Sequence, residues 1–142
     1  MINGALVLEG GALRSVYAAG VLDVFLENDI KFEYVLGVSA GALNAGNYIS
    51  GQIGRSARVN IDYVDDPRYI GIKHLIQEGS IFNFDFLFGE PSKEWMPYDE
   101  KAFMNSQQKY IIGATNCLTG KQDFFERHEY EELVKVLTAS ST

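Results

Sequence analysis

The chain has 142 residues, of which 46% are hydrophobic, and its formal net charge is −7. This length predicts one domain with a buried core over residues 1–142, and no apolar run approaches the roughly 18 residues of a membrane-spanning helix. The acidic charge provides no attraction for nucleic acid. Cys117 is the only cysteine, which excludes an internal disulfide. No basic-then-apolar leader precedes the first predicted strand, so we expect a cytoplasmic location.

The N-terminal segment predicts a strand, a glycine turn and a helix. Ala5–Leu8 is short and apolar, as in a buried strand, and the glycine-containing segment Glu9–Ser15 follows it. Apolar residues then recur at helical spacing from Ser15 to Glu27, as expected for a helix that covers a sheet. Asn28 and Asp29 tolerate turn conformations and end this helix.

A second strand, turn and helix follow directly. Tyr34–Leu36 predicts a buried strand, and Ala40–Ser50 predicts a helix. Between them, Gly37 and Gly41 lie two residues before and two residues after Ser39. This is the pattern of a nucleophile elbow, which holds a serine hydroxyl at the end of a sheet. The alternative is a glycine-rich turn that only packs a helix closely on a strand.

The two turns are expected to lie side by side. Both follow strands of a predicted parallel sheet, and the carboxyl ends of such strands form the binding edge of open α/β sheets. One turn presents a serine nucleophile, and the other presents backbone N–H groups. Acyl transfer requires this pair, because the tetrahedral intermediate carries a negative oxygen that needs hydrogen-bond donors.

These motifs resemble the N-terminal half of a bacterial patatin-like phospholipase. Leu8–Arg14 followed by Gly37–Gly41 matches the glycine-rich loop, G-G-G-x-R/K-G, and the G-x-S-x-G motif of that family. The resemblance extends through the chain, most clearly over residues 4–51 and around Thr115–Gly120. Two positions depart from the pattern, because Ala12 replaces the third glycine and Ser15 replaces the last. Alanine keeps its N–H group, so we expect a functional loop provided that position 12 does not require positive φ.

The resemblance implies an α/β fold of three layers with a mostly parallel central sheet, and hydrolysis of lipid or phospholipid esters. It implies that Ser39 is the nucleophile and that the N–H groups of Gly10, Gly11 and Ala12 form the oxyanion hole. Arg14 would brace this loop or bind the phosphate of a phospholipid. No metal or cofactor is implied. For partners we expect the lipid substrate, transient contact with a membrane surface and self-association, and no nucleic acid.

The middle of the chain predicts short helices and an aromatic segment. Arg55–Tyr63 and Gly71–Gln77 are expected to be helical. The phenylalanines of Ile81–Phe88 alternate, which predicts a strand, with a short helix as the alternative. This segment would either cover the sheet, the reading we favour, or cap a pocket for an acyl chain.

The C-terminal part predicts a third strand, a hairpin and a last helix. Lys109–Thr115 is predicted to form a buried strand. Gln122–Phe125 is predicted to pair with it as an antiparallel strand across a turn. Glu129–Thr138 is expected to form a helix with a buried apolar stripe.

The residue that would activate Ser39 is not evident. The family uses a Ser–Asp dyad whose aspartate belongs to a downstream D-G-G or D-G-A motif, yet none of the eight aspartates here precedes a glycine. We therefore expect this chain to be an N-terminal portion without the catalytic aspartate. One alternative is a serine–acid–histidine triad that uses His128 with Asp99 or Asp123. Another is a non-catalytic lipid- or fatty-acid-binding module. A nucleotide-binding domain is disfavoured because G-x-G-x-x-G and the P-loop lysine are absent.

Overall fold

The computed structural model describes residues 1–78, 81–89, 91–127 and 130–142. These ranges contain four strands and seven α-helices, with a 3-10 turn at Ala12–Ser15 and a π-helical turn at Pro91–Trp95. The regular elements, in chain order, are β1 (Ile2–Leu8), α1 (Val16–Glu27), β2 (Phe32–Val38), α2 (Ala40–Ile49), α3 (Arg55–Tyr63), α4 (Ile72–Glu78), α5 (Phe84–Phe88), α6 (Glu100–Asn105), β3 (Lys109–Thr115), β4 (Gln122–Glu126) and α7 (Tyr130–Ser141).

The strands form one sheet in the order β1-β2-β3-β4. β1, β2 and β3 run parallel, and β4 pairs antiparallel with β3 as the predicted hairpin. Helical crossovers join the parallel strands, because parallel neighbours cannot be connected by a tight turn. The predicted α/β class with a mostly parallel sheet is therefore confirmed, and β2 lies inside the sheet between β1 and β3.

One face of the sheet, here called the inner face, carries the main hydrophobic core. Val35, Tyr110 and Ile112 point to this face and are at most 1% exposed. Phe103 of α6 packs edge-on against the Tyr110 ring, with 5.6 Å between ring centroids. The Tyr110 hydroxyl donates a hydrogen bond of 2.7 Å to the Ala42 carbonyl, which ties β3 to α2. Burial raises the pKa of Tyr110, since the charged phenolate would lose its hydration.

The opposite face, here called the outer face, is apolar and exposed. Val7 is 67% exposed and Phe124 is 58% exposed, although both lie within strands. Gly113 lies between Val38 and Phe124 on this face, because a Cβ built on it would meet both side chains. Within the described ranges, α1, α2, α6 and α7 bury side chains in the core on the inner face. Two of the three expected layers are therefore seen, namely the sheet and the helices on one side of it. An apolar face of this kind is the physical basis for the expected self-association, which stays a prediction.

The aromatic segment differs from its predicted form. Phe84–Phe88 is a helix rather than a strand, and Asn83 caps it by accepting a 2.9 Å hydrogen bond from the Phe86 N–H. Phe84, Phe86 and Leu87 are buried against α3 and Tyr69 rather than against the sheet. The strand prediction and the favoured sheet-covering role are therefore wrong. Rings from 82 to 88 alternate in sequence, but the asparagine cap starts a helical turn that buries them on a neighbouring helix.

The other predicted elements are confirmed with small shifts at their ends. The first predicted helix begins with the 3-10 turn at Ala12–Ser15 and continues as α1. The last helix begins at Tyr130 and reaches Ser141, three residues beyond the predicted end. Glu129, the predicted start, lies outside the described residues.

Candidate active site

Ser39 lies in a strained turn at the carboxyl end of β2. Its backbone has φ 55° and ψ −128°, a region that residues other than glycine seldom occupy. β2 ends at Val38 and α2 begins at Ala40, so the serine is the only residue between strand and helix. Its carbonyl accepts hydrogen bonds from Ala42 and Leu43, which start the helix. The predicted strand–turn–helix geometry is present.

The two glycines of the elbow are required by close backbone contacts. A Cβ on Gly37 would lie 2.5 Å from the Ala42 Cα, inside the first turn of α2. A Cβ on Gly41 would lie 2.4 Å from the Leu8 carbonyl oxygen at the end of β1. Such distances do not occur between real atoms, so any side chain at either position would push α2 away from the sheet.

The first glycine turn lies directly against the nucleophile. A Cβ on Gly10 would be 3.2 Å from the Ser39 Cβ and 3.8 Å from its Oγ. Among the hydrogen bonds within the described residues, none is donated by the backbone N–H groups of Gly10, Gly11 or Ala12. The structure therefore brings together Ser39 and the loop whose N–H groups the sequence analysis assigned to the oxyanion hole.

Sequence reasoning did not include Ala40 among the donors. Ala40 lines the same pocket as Ser39 and is the first residue of α2, where N–H groups have no partner within the helix. Its position immediately after the serine could have indicated this, because nucleophile elbows commonly use the N–H of the next residue.

Ala12 has a backbone conformation that favours glycine. Its φ is 46°, in the left-handed region, and it begins the 3-10 turn that follows the loop. The sequence analysis expected a functional loop on the condition that position 12 does not require positive φ, and the structure shows that this condition is not met. A left-handed conformation costs an alanine about 1 kcal/mol relative to glycine. Ala12 nevertheless lines the pocket that contains Ser39, with its N–H group retained.

Arg14 lies beside the loop rather than in the pocket. Its Nε and Nη2 atoms are each 3.8 Å from the position of a Cβ built on Gly11, and its N–H donates to the Gly11 carbonyl at 3.0 Å. The side chain is exposed and forms no ion pair with any described residue. This placement fits the bracing role, while phosphate binding by Arg14 stays a prediction.

A largely buried chain of hydrogen bonds links the end of the 3-10 turn after the loop to α2, α3 and Tyr69. Asn44 of α2 donates 2.9 Å to the Ser15 carbonyl, and it accepts from the Ser56 hydroxyl of α3. Asn60 donates to the Ser56 carbonyl at 2.9 Å and accepts from the Tyr69 hydroxyl at 3.2 Å. Burial raises the pKa of Tyr69 to about 12. Sequence reasoning missed this chain, although an asparagine inside an apolar helical stretch is a signal that a buried partner exists.

The last helix reaches the elbow through one side chain. The backbone N–H of Ser39 donates a 2.8 Å hydrogen bond to Ser140 Oγ, and this hydroxyl donates 2.6 Å to the Gly113 carbonyl of β3. The two serines are 101 residues apart in sequence. No local pattern could have paired them.

Ser39 opens into a pocket of about 40 Å³ whose far wall is apolar. Phe82, Phe84 and Leu87 from the aromatic segment form this wall, so the segment caps the pocket. A neighbouring cavity of about 60 Å³ shares Leu43 and Tyr69 with the pocket and is lined mainly by apolar side chains.

No acid or histidine among the described residues lines the Ser39 pocket. His74 is buried elsewhere, with its Nε2 3.0 Å from the Pro67 carbonyl oxygen. His128, the histidine of the alternative triad, lies outside the described residues. Among the described residues, Ser39 therefore lies beside the Gly10 loop without an acid or a histidine in the lining of its pocket.

The described residues contain no group of three or more histidine, cysteine, aspartate and glutamate side chains placed to hold a metal ion. None of their helices has the length and apolar character needed to cross a membrane.

The fold and this geometry define an α/β protein with a serine in a strained strand-to-helix turn. A model of the patatin-like phospholipase family matches residues 6–142, and the chain belongs to that family. Among curated proteins, the chain is 34% identical over 94 residues to the "Uncharacterized protein YjjU" of Escherichia coli (strain K12). This match covers 66% of the chain and 26% of the relative, so it spans about a quarter of that protein's length.

Proposed function

We propose that this chain carries the nucleophile and oxyanion hole of a serine lipid acyl hydrolase, of the phospholipase A, lysophospholipase or esterase type. The observation that carries this proposal is the strained elbow of Ser39 with the Gly10 backbone directly against it. Membership of the patatin-like phospholipase family supports lipid esters as the substrate class.

In the proposed reaction, Ser39 Oγ attacks the carbonyl carbon of the ester and its proton passes to a base. The resulting oxyanion accepts hydrogen bonds from the N–H groups of Gly10, Gly11 and Ala12, each worth about 3–4 kcal/mol in the transition state. Collapse of this intermediate breaks the ester C–O bond, and the alcohol leaves with the proton. Water then hydrolyses the acyl-serine and releases the fatty acid.

The base is proposed to be an aspartate outside these 142 residues. This follows the Ser–Asp dyad of the family and agrees with the uncharged lining of the pocket among the described residues. Serine is a weak nucleophile without such a neighbour. The 142-residue chain alone is therefore expected to turn over esters only slightly, through elbow geometry and oxyanion donors.

The acyl chain of the substrate is proposed to lie along the aromatic wall. Phe82, Phe84 and Leu87 offer apolar contacts next to Ser39, and the neighbouring cavity shares Leu43 and Leu87 with this pocket. An uncharged pocket suits a neutral ester and an alkyl chain. Because the protein carries a net charge of −7, apolar contact rather than charge must hold the lipid.

The test is covalent labelling by a fluorophosphonate, in which the serine oxygen bonds to phosphorus and fluoride leaves. We expect mass spectrometry to locate the label on Ser39 and the label to disappear in Ser39→Ala. Ser50→Ala is the matched control, because Ser50 is a buried serine at the other end of α2 that donates to the Asn47 carbonyl. Undiminished labelling or ester hydrolysis in Ser39→Ala would refute the proposal.

The second candidate is a lipid- or fatty-acid-binding module without catalysis. The absence of an acid or histidine around the pocket, among the described residues, favours it. Such a module would bind fatty acid, and the fluorophosphonate would not label Ser39 even in a polypeptide that extends beyond these 142 residues. Ser39-specific labelling there decides for the enzyme.

A further inference from the structure

We propose that the Ser140 hydroxyl is a positioning group for the nucleophile, holding the backbone N–H of Ser39 against β3 and so maintaining the elbow conformation. The inference rests on the proposed role of Ser39. It assigns to α7, which lies at the opposite end of the sequence, a direct part in shaping the site.

The hydrogen bonds around Ser140 form a bridge between two neighbouring strands. Its Oγ accepts from the Ser39 N–H at 2.8 Å and donates to the Gly113 carbonyl at 2.6 Å. Gly113 is the register partner of Val38, the residue immediately before Ser39. The bridge therefore continues the β2–β3 pairing by one residue past the point where the regular ladder ends. A hydroxyl is suited to this place because it donates and accepts at once.

The position of Ser140 is determined by the packing of α7. Leu133 and Leu137 of this helix are buried in the main core, at 2% and 7% exposure. Residues 133, 137 and 140 follow the spacing of one helix face. Because the two leucines fix that face against the sheet, the last turn presents Ser140 to the elbow rather than to water.

The elbow needs such support because its conformation is unfavourable. Ser39 has φ 55°, and strained backbone persists only where surrounding contacts hold it. Its N–H group lies beyond the strand ladder and before the helix, so Ser140 provides the partner that regular structure does not. The same hydrogen bond directs the Ser39 N–H toward β3, which leaves the oxyanion to the loop donors and to Ala40.

The first test is amide hydrogen exchange in the unmodified chain, read by NMR. We expect the Ser39 amide to be protected although it belongs to no strand or helix. In Ser140→Ala its exchange should accelerate by about tenfold, the equivalent of one hydrogen bond. Ser140→Thr, which keeps the hydroxyl, should restore protection. An unprotected Ser39 amide in the unmodified chain would overturn the proposal without any variant.

The second test is the rate of fluorophosphonate labelling and, where turnover is measurable, the separate kcat and KM values. Ser140→Ala should lower the labelling rate and kcat by about 10- to 100-fold, since a small misplacement of a reacting group has effects of this size. KM should change little, because the apolar wall is untouched. Thr138→Val is the control, since the Thr138 hydroxyl bonds only to Val134 of its own helix among the described residues.

These readouts separate the two proposals. If Ser39 never labels, even in a polypeptide that extends beyond these 142 residues, the proposed function fails, while amide exchange still supports or overturns the hydrogen bond to Ser140. If Ser39 labels and Ser140→Ala matches Thr138→Val in rate and amide exchange, the positioning role is wrong.

Discussion

Replacing Gly41 by alanine tests whether α2 must approach β1 as closely as the structure shows. The added Cβ would lie 2.4 Å from the Leu8 carbonyl oxygen and 2.5 Å from that of Glu9. Ordinary contact begins at 3.4 Å, so the helix must move by about 1 Å. Both obstacles are backbone atoms of another element, and no side-chain rotation can relieve them.

The change in the free energy of unfolding caused by Gly41→Ala combines two opposing effects. Overpacking of this kind costs about 1–3 kcal/mol, whereas alanine is favoured over glycine inside a helix by about 1 kcal/mol. We expect the free energy of unfolding to fall by up to about 2 kcal/mol. The functional effect should be larger, because α2 starts directly after Ser39 and a shift of about 1 Å misplaces the nucleophile, at a cost of about 100-fold in reactivity.

The assay is urea unfolding followed by circular dichroism, together with the rate of fluorophosphonate labelling at Ser39. Gly20→Ala in α1 is the matched control, since a Cβ there meets no atom within 4 Å. It should raise the free energy of unfolding by about 0.5–1 kcal/mol and leave labelling unchanged. If Gly41→Ala behaves like Gly20→Ala in both measurements, the close approach of α2 to β1 is wrong.

Three other expectations concern stability. Ala12→Gly should raise the free energy of unfolding by about 0.5–1 kcal/mol, because glycine tolerates φ 46°; a lower urea midpoint would contradict the strain. Asn44→Ala should lower it by about 2–4 kcal/mol, since a buried carbonyl and a buried hydroxyl lose their partner; an unchanged midpoint would count against the hydrogen-bond chain. Tyr69 should destabilise the fold between pH 10 and 12 by up to about 2–3 kcal/mol, because unfolded chains lose this proton near pH 10 and the folded protein keeps it to about 12. Tyr69→Phe should remove that part of the alkaline loss, and an identical pH profile would refute it.

Sequence patterns alone are enough to predict the strands, turns and helices around Ser39. Alternation, helical spacing and turn residues are local properties, so β1, β2 and their helices could be predicted within a few residues. The elbow was also predictable, because the two glycines flank Ser39 at a spacing that only a tight strand-to-helix turn requires. The family pattern added the loop at Gly10 by resemblance, and the structure places that loop beside the serine.

The contacts that hold these elements in place could not be predicted from local patterns. The positive φ of Ala12 arises where the loop turns into the 3-10 segment, and residue identity alone predicts the opposite sign. The aromatic segment formed a helix because α3 and Tyr69 offered a surface for it, which its alternating pattern could not reveal. Ser140 reaches Ser39 across 101 residues because two leucines of α7 dock on the sheet. Local patterns report the preferences of neighbours in the chain, whereas these contacts arise from packing between distant segments, which depends on the whole arrangement of the core.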